Sequence, residues 1–418
     1  MKNKPLFYFY AFSVILMMCY SNNMLFTWYI PRMVIIVLSI IAPLMYMSFT
    51  KCDNRVPNVF LCLLWAIIIM YVVFTRRIFS FISLFRKIGE LLCVISVILL
   101  PSEQKKELLR IVTLCLTIII AISLVPWILY LLGVPLPHSG PILLENGFHW
   151  VMNYYFFLSG EELNPLKFPR FRGMFIEAGQ IATVCVFLYF ANNKKLRLWQ
   201  KITLIAAIVL SFSLAAYLTF MLCFALTIIL NPRNKFKIIS TGLLFAVVIG
   251  VLSYFNNPQH QNNAFYNLIV ERLLYDEEKG IAGNNRSSEY VEYRYEQLMN
   301  SKDKYIGLGR ELNSAFRTND NWTNDSSGIR KFIIWNGLIG TALVFLYMLV
   351  LLLQHRSYGS FVIWVCVVAN FLVRDLLLTP MWMIITILGV FVLHLDRLEQ
   401  NEEEAVEEET KEEALVTQ

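Results

Sequence analysis

The chain has 418 residues, 57% of them hydrophobic and only 16% charged, with a mean hydropathy of +0.57, whereas a soluble chain has about 45–50% apolar and roughly 25% charged residues. That excess runs the whole length, so a water-soluble domain, a disordered chain and a secreted disulfide framework are excluded, and an all-α polytopic membrane protein is expected. The net charge is +6, but residues 401–418 hold eight Glu and one Lys, which leaves +13 on the rest. Such an excess is a membrane-topology signal and asks for no nucleic acid.

Lys2 and Lys4 precede a first apolar run that lacks a small-residue cleavage site, so it reads as a span and not a removable signal. Apolar segments fall at 6–20, 30–49, 59–75, 88–100, 108–132, 174–191, 202–230, 238–255, 329–353, 361–373 and 381–395. The segment 202–230 has 29 residues without a charge. As one helix it would run about 44 Å, against a hydrocarbon core of roughly 30 Å. Lys194, Lys195, Arg197 and Lys201 precede it and Arg233, Lys235 and Lys237 follow it. Both flanks therefore belong in the cytoplasm, and the segment breaks near 211–213 into two passes. The expected total is about 12 transmembrane helices with both termini inside.

The same parity puts Lys51, Arg55, Lys105, Lys106 and Arg356 inside, but Arg76 and Arg77 outside. Arg86 and Lys87 interrupt the fourth span, so either 78–85 lies along the interface or those two cations line a polar cavity. None of the eight cysteines lies in the long polar loops, which excludes a disulfide there and a Cys/His metal set.

Residues 1–395 form the membrane domain, with extracytoplasmic loops at 134–172 and 256–327; 396–418 is an acidic tail, expected to be disordered and cytoplasmic. The second loop has 72 residues, eight basic and eleven acidic. It should carry short helices, one of them over Glu289–Met299 with Ser287 or Ser288 as N-cap. Val291, Arg294, Tyr295 and Leu298 share one face of that helix.

Four groups of residues have chemistry to offer. Arg170, Arg172 and Glu177 open the sixth span, where two arginines also fit lipid phosphates, but an ionisable Glu177 near the membrane wants a cavity or partner. Arg286, Arg294, Arg310 and Arg317 lie in the large loop; an arginine on an apolar helix face, as Arg294 is, needs an anion, and its planar fork suits phosphate. Tyr305-Ile-Gly-Leu-Gly-Arg310 has a Gly-x-Gly pair but no strand–helix unit around it, so a tight turn returning the loop to the membrane is expected. Asn324-Asp325-Ser326-Ser327 reads as a helix cap that also puts a carboxylate at the membrane surface, beside Arg330 and Lys331.

In this order the chain resembles the O-antigen polymerase and O-antigen ligase superfamily. The likeness rests on Arg172-Gly173-Met-Phe-Ile-Glu177 opening a mid-chain span and on a long outer loop between the ninth and tenth spans. It continues through Arg294, Tyr305-Ile-Gly-Leu-Gly, Asn324-Asp325-Ser326 and Asn336-Gly337-Leu-Ile-Gly340, and covers roughly 165–350. Where ligases carry His-Asn this chain reads Asn324-Asp325, with no histidine between His260 and His355, which favours the polymerase branch.

The resemblance implies a glycosyltransferase of the bacterial inner membrane that polymerises O-antigen or capsule repeat units at the outer face. Donor and acceptor would be polyprenyl-pyrophosphate-linked oligosaccharides, with a chain-length regulator and a flippase as partners and no cofactor or metal. It implies Asp325 or Glu177 as catalytic carboxylate and Arg170, Arg172, Arg286, Arg294, Arg310 and Arg317 as pyrophosphate-binding groups. Arginines would stabilise the departing pyrophosphate and a carboxylate would take the acceptor's proton. The competing readings are a ligase-type glycan transferase and a flippase of lipid-linked oligosaccharide; two similar halves would mark the latter, and the sequence has no internal repeat.

Overall fold

The computed structural model describes residues 4–76, 80–143, 150–160, 169–192, 195–230, 275–276, 280–281, 289–309, 328–374 and 378–416. In chain order these form α1 (Lys4–Ser21), α2 (Arg32–Phe49), α3 (Val56–Thr75), α4 (Phe81–Ile98) and α5 (Ser102–Leu131). Three short strands follow, β1 (Pro141–Leu143), β2 (Trp150–Asn153) and β3 (Leu158–Ser159), and then α6 (Ala178–Asn192), α7 (Leu198–Leu210) and α8 (Leu214–Ile229). A strand pair, β4 (Tyr275–Asp276) and β5 (Gly280–Ile281), precedes α9 (Glu289–Met299), α10 (Gly328–Gln354), α11 (Tyr358–Val373) and α12 (Pro380–Val416).

Helix dominates because long apolar segments have no strand-like alternation and must satisfy their backbone groups internally. Among the described residues six helices are long and apolar enough to cross a membrane: α1, α2, α3, α5, α10 and the Pro380–Glu402 part of α12. The apolar helices α6, α7, α8 and α11 are shorter. Helix α3 displays the membrane pattern on both sides. Leu61, Trp65, Ile68 and Val72 are buried, while Leu63, Ile67, Met70 and Phe74 are exposed; a helix apolar all round has a second apolar medium to face.

The core is built around α12. Every residue from Met381 to Val392 is buried, and α12 packs against α1, α4, α5, α6 and α11. The helix then continues past Asp396 to Val416, so the acidic stretch expected to be disordered is helical. Glutamate and alanine are good helix formers, and a preformed helix upstream removes the cost of nucleation.

Contacts between connections define two ends of the bundle. At one end Asp53 N donates to Leu99 O at 2.8 Å, Lys195 pairs with Asp396 at 2.7 Å, and the His394 ring nitrogen meets Arg356 O at 3.2 Å. At the other end Leu25 N donates to Met174 O at 2.9 Å and Asn153 Nδ2 to the Tyr29 hydroxyl at 2.8 Å. The latter end carries the antiparallel sheet β1-β2-β3, in which Ile142 faces Val151 and Asn153 faces Leu158. The loop 134–172 thus holds three short strands among its described residues. Its tight turn has Tyr154 and Phe157 stacked at 4.7 Å, with Tyr155 at φ 64.

The break in 202–230 is where the charged flanks require it. Helix α7 ends at Leu210, α8 starts at Leu214, and Phe212 between them has φ 47. Residues 81–85 are the first turns of α4. Arg86 Nε and Lys87 Nζ both donate to the carboxylate of Glu90, at 2.9 and 2.5 Å, and Glu90 is only 2% exposed. The cations at i and i+1 thus neutralise an acid one turn on, within their own helix.

Candidate active site

At the sheet-bearing end the stretch 169–177 runs over the gap between α7 and α8. The last carbonyls of α7 have no partner within their own helix, and this stretch supplies donors for them. Phe171 N donates to Leu210 O and Arg170 Nε to Ser211 O, both at 2.9 Å. Phe171 is fully buried with its ring edge-on to Trp127 at 5.3 Å, which anchors the stretch. Gly173 has φ +51, a conformation glycine adopts without steric cost, and it turns the chain into α6.

Arg172 bends back along this turn. Its Nη1 donates to Ile176 O at 3.1 Å, and its guanidinium lies so close over Gly160 that a Cβ there would be 2.8 Å from Nη2. Glu177 precedes the first residue of α6, and its carbonyl accepts from Gln180 N at 3.0 Å. Its carboxylate accepts a short hydrogen bond from Arg374 Nη1. Glu177 is therefore negative at a helix N-terminus, while Arg374 is positive at the C-cap of α11, and each charge complements its helix dipole.

The pair is lopsided. The Arg374 side chain is 9% exposed and that of Glu177 48%, so the guanidinium is sunk in the bundle and the carboxylate opens outward. Room for Arg374 comes from two glycines. A Cβ on Gly179 would lie 1.9 Å from Arg374 Nη2, and one on Gly328 would lie 2.3 Å from Arg374 N. Among the described residues Arg374 Nε and Ser213 Oγ, both buried, have no hydrogen-bond partner, and the Arg374 guanidinium and Ser213 Oγ both flank Gly179. A buried donor and hydroxyl left open cost free energy unless an oxygen-rich group completes them.

Three of the residues singled out in the sequence, Arg170, Arg172 and Glu177, are thus brought together, but the partner of Glu177 is Arg374 rather than Arg172. Arg374 escaped the sequence reading. The signal was present: Arg374 and Asp375 are the only Lys, Arg, Asp or Glu residues between Arg356 and Asp396, and an ionisable group in so apolar a stretch marks a functional position. Arg286, Arg310, Arg317 and Asp325 lie outside the described residues. Gly328, the first described residue beyond Asp325, packs directly on Arg374.

Helix α9 has the expected bounds, and Val291 and Leu298 pack with Ile333 and Ile334 of α10. Arg294 is half-buried at the edge of that face and donates to Gln297 Oε1 at 2.8 Å. A polar neighbour one turn on thus takes one of its N–H groups.

The Gly-x-Gly segment is a structural device. Helix α10 is broken at Gly337 (φ 64, ψ −175), and residues 305–309 lie against the break. Leu308 N donates to Ile334 O at 2.7 Å, Gly309 N to Trp335 O at 3.2 Å, and Ile339 N to Tyr305 O at 3.0 Å. Tyr71 closes the other side, its hydroxyl donating to Asn336 O at 2.8 Å, while Arg76 Nε donates to Asn336 Oδ1 at 2.9 Å. The tight turn expected here therefore docks into an interrupted helix and restores its lost hydrogen bonds, which unsatisfied backbone in a membrane requires.

No protein-family model matches the chain, and no curated protein sequence matches it. The fold and the site define a multi-pass helical membrane protein with an arginine–carboxylate cluster at one end of its bundle.

Proposed function

We propose that the protein polymerises surface-polysaccharide repeat units, transferring a polyprenyl-pyrophosphate-linked glycan onto a lipid-linked acceptor at the outer face of the cytoplasmic membrane. The observation that carries this reading is the gathering of Arg170, Arg172 and Arg374 with Glu177 around the α7–α8 break, where Arg374 Nε and Ser213 Oγ are buried with no partner among the described residues. Phosphate oxygens match such a set of donors, because a guanidinium offers parallel N–H groups and keeps its charge at any working pH.

In the transfer, a hydroxyl oxygen of the acceptor sugar attacks the anomeric carbon of the donor. The carbon–oxygen bond to pyrophosphate breaks, and the leaving group departs with the electron pair. The arginines stabilise its growing negative charge, an effect worth several kcal/mol, or about 10²–10³ in rate per well-placed donor. The acceptor's proton goes to a carboxylate. Glu177, already held by Arg374, suits orienting the hydroxyl; Asp325 is the second candidate and takes the proton in this scheme.

The test is the surface glycan of a deletion strain on a gel. Single-repeat products restored to long polymer by the wild-type gene support polymerisation. Intact polymer missing from its final acceptor identifies a ligase, and lipid-linked repeats that never reach the outer face identify a flippase.

A further inference from the structure

At the end of the bundle opposite the arginine–carboxylate cluster, a cavity of about 420 Å³ opens between α6, α7, α8, α11 and α12. Among the described residues Lys195, Lys201 and Arg397 line it, against a single carboxylate, Asp396. Lys195 Nζ lies 2.7 Å from Asp396 Oδ1, and the Arg397 guanidinium sits 5.1 Å above the Tyr358 ring while its Nη1 donates to Arg356 O. Among the described residues the Lys201 ammonium makes no hydrogen bond or ion pair. The cavity therefore carries an excess of two positive charges.

Backbone dipoles add to that excess. Lys201 is in the first turn of α7, and Tyr358 and Gly359 begin α11. Two helix N-termini thus point their positive ends at one cavity, where cations are unfavourable unless an anion joins them. The wall also has an apolar side, formed by Phe190, Val362 and Leu393. Beside Lys201, Leu198 and Ile202 are exposed apolar residues on α7, and Trp199 is exposed between them. An aromatic at the polar boundary and apolar side chains beyond it are features of a surface that meets lipid.

We propose that this cavity binds the phosphate of an anionic phospholipid headgroup, with Lys201, Lys195 and Arg397 as its cations and the acyl chains lying along the exposed face of α7. Basic pockets between membrane helices recognise headgroups in this manner. The site is independent of the glycan-transfer reading, since it shares no residue with it.

The experiment uses full-length protein purified in dodecyl maltoside, with bound lipid counted by native mass spectrometry and the unfolding midpoint followed as lipid is added. Dioleoyl phosphatidylglycerol should bind saturably and raise the midpoint, dioleoyl phosphatidylcholine should do so far less, and inorganic phosphate at the same concentration should do neither. Lys201→Glu should weaken phosphatidylglycerol binding about tenfold, as expected for losing one cation and adding an anion beside a headgroup. Because the Lys201 ammonium has no hydrogen-bond or ion-pair partner among the described residues, that variant should unfold like wild type without lipid, and Lys195→Ala serves as a second variant. Equal saturation by inorganic phosphate would replace the lipid by a free phosphate; unchanged phosphatidylglycerol binding in both variants would overturn the site.

Discussion

At Arg374 and Glu177, one buried cation and one half-open anion are held by two helix ends, and that asymmetry sets what substitutions do. Glu177→Gln leaves the guanidinium buried beside a neutral amide, at a cost of about 1–3 kcal/mol, so it should lower both the unfolding midpoint and polymer yield. Arg374→Lys keeps the charge but cannot fork; the protein should insert in normal amount, with polymer formation down roughly a hundredfold. Gly179→Ala should resemble Arg374→Lys, because the new methyl displaces only the flexible tip of Arg374. Gel analysis of polymer together with immunoblots of membrane protein separates these outcomes, and normal polymer from Gly179→Ala would remove Arg374 from the mechanism. His355 provides a pH test in the connection between α10 and α11. Its ring lies 3.8 Å from Phe391 and 5.4 Å from His394. Burial pushes its pKa down to about 3; His394, Lys105 and Arg55 push the same way, and Asp53 opposes them. The unfolded chain takes up this proton near 6.5, so the stability due to neutral His355 is complete above that pH and lost as pH falls toward 3. The unfolding midpoint should drop between pH 7 and 5, and less so in His355→Leu; equal drops in both would assign the effect elsewhere.

Among the elements, the two breaks differ in how far they could be read from the sequence. The α7–α8 break was legible because cationic flanks on both sides of 202–230 demand an even number of passes. Helix α9 was legible from its periodic apolar face, with Val291 and Leu298 one buried stripe. The break at Gly337 left no local mark, since Asn336-Gly337 sits in an apolar run and its hydrogen-bond partners are about 30 residues upstream. The pairing of Glu177 with Arg374 was hidden for the same reason: 197 residues separate them, and no spacing rule reaches across a bundle. Gly337 lies in a backbone region open essentially to glycine alone, so Gly337→Ala should cost roughly 1–3 kcal/mol from the dihedral angles, and more because a Cβ would meet Tyr305 O at 2.3 Å. Gly133 has φ +79 but nothing within 4 Å of a Cβ, so Gly133→Ala should cost about 1–2 kcal/mol only. Unfolding midpoints in detergent check the pair; an equal loss at both positions would mean that the docked loop adds nothing.

For the molecule as a whole, sidedness is the property on which the transfer reading depends. A cysteine at Tyr155, exposed in the sheet turn, should react with a membrane-impermeant maleimide on intact cells, whereas one at Glu103, exposed at the other end of the bundle, should react only after the cells are opened. The reverse pattern would invert the molecule and put the arginine cluster in the cytoplasm. The order of manufacture brings a separate consequence. The helix against which α1, α4, α5, α6 and α11 pack, Met381–Val392, follows all of them in the sequence. While the ribosome is still working, the inner faces of α1, α4, α5 and α6 have only lipid or each other to cover them, including the buried Glu90 and Lys105. The packing of those helices is therefore completed only once Met381–Val392 has been made. A chain truncated before residue 380 is expected to insert its helices without their shared packing partner and to be removed by membrane proteases, which an immunoblot of membrane protein would show as loss of the band.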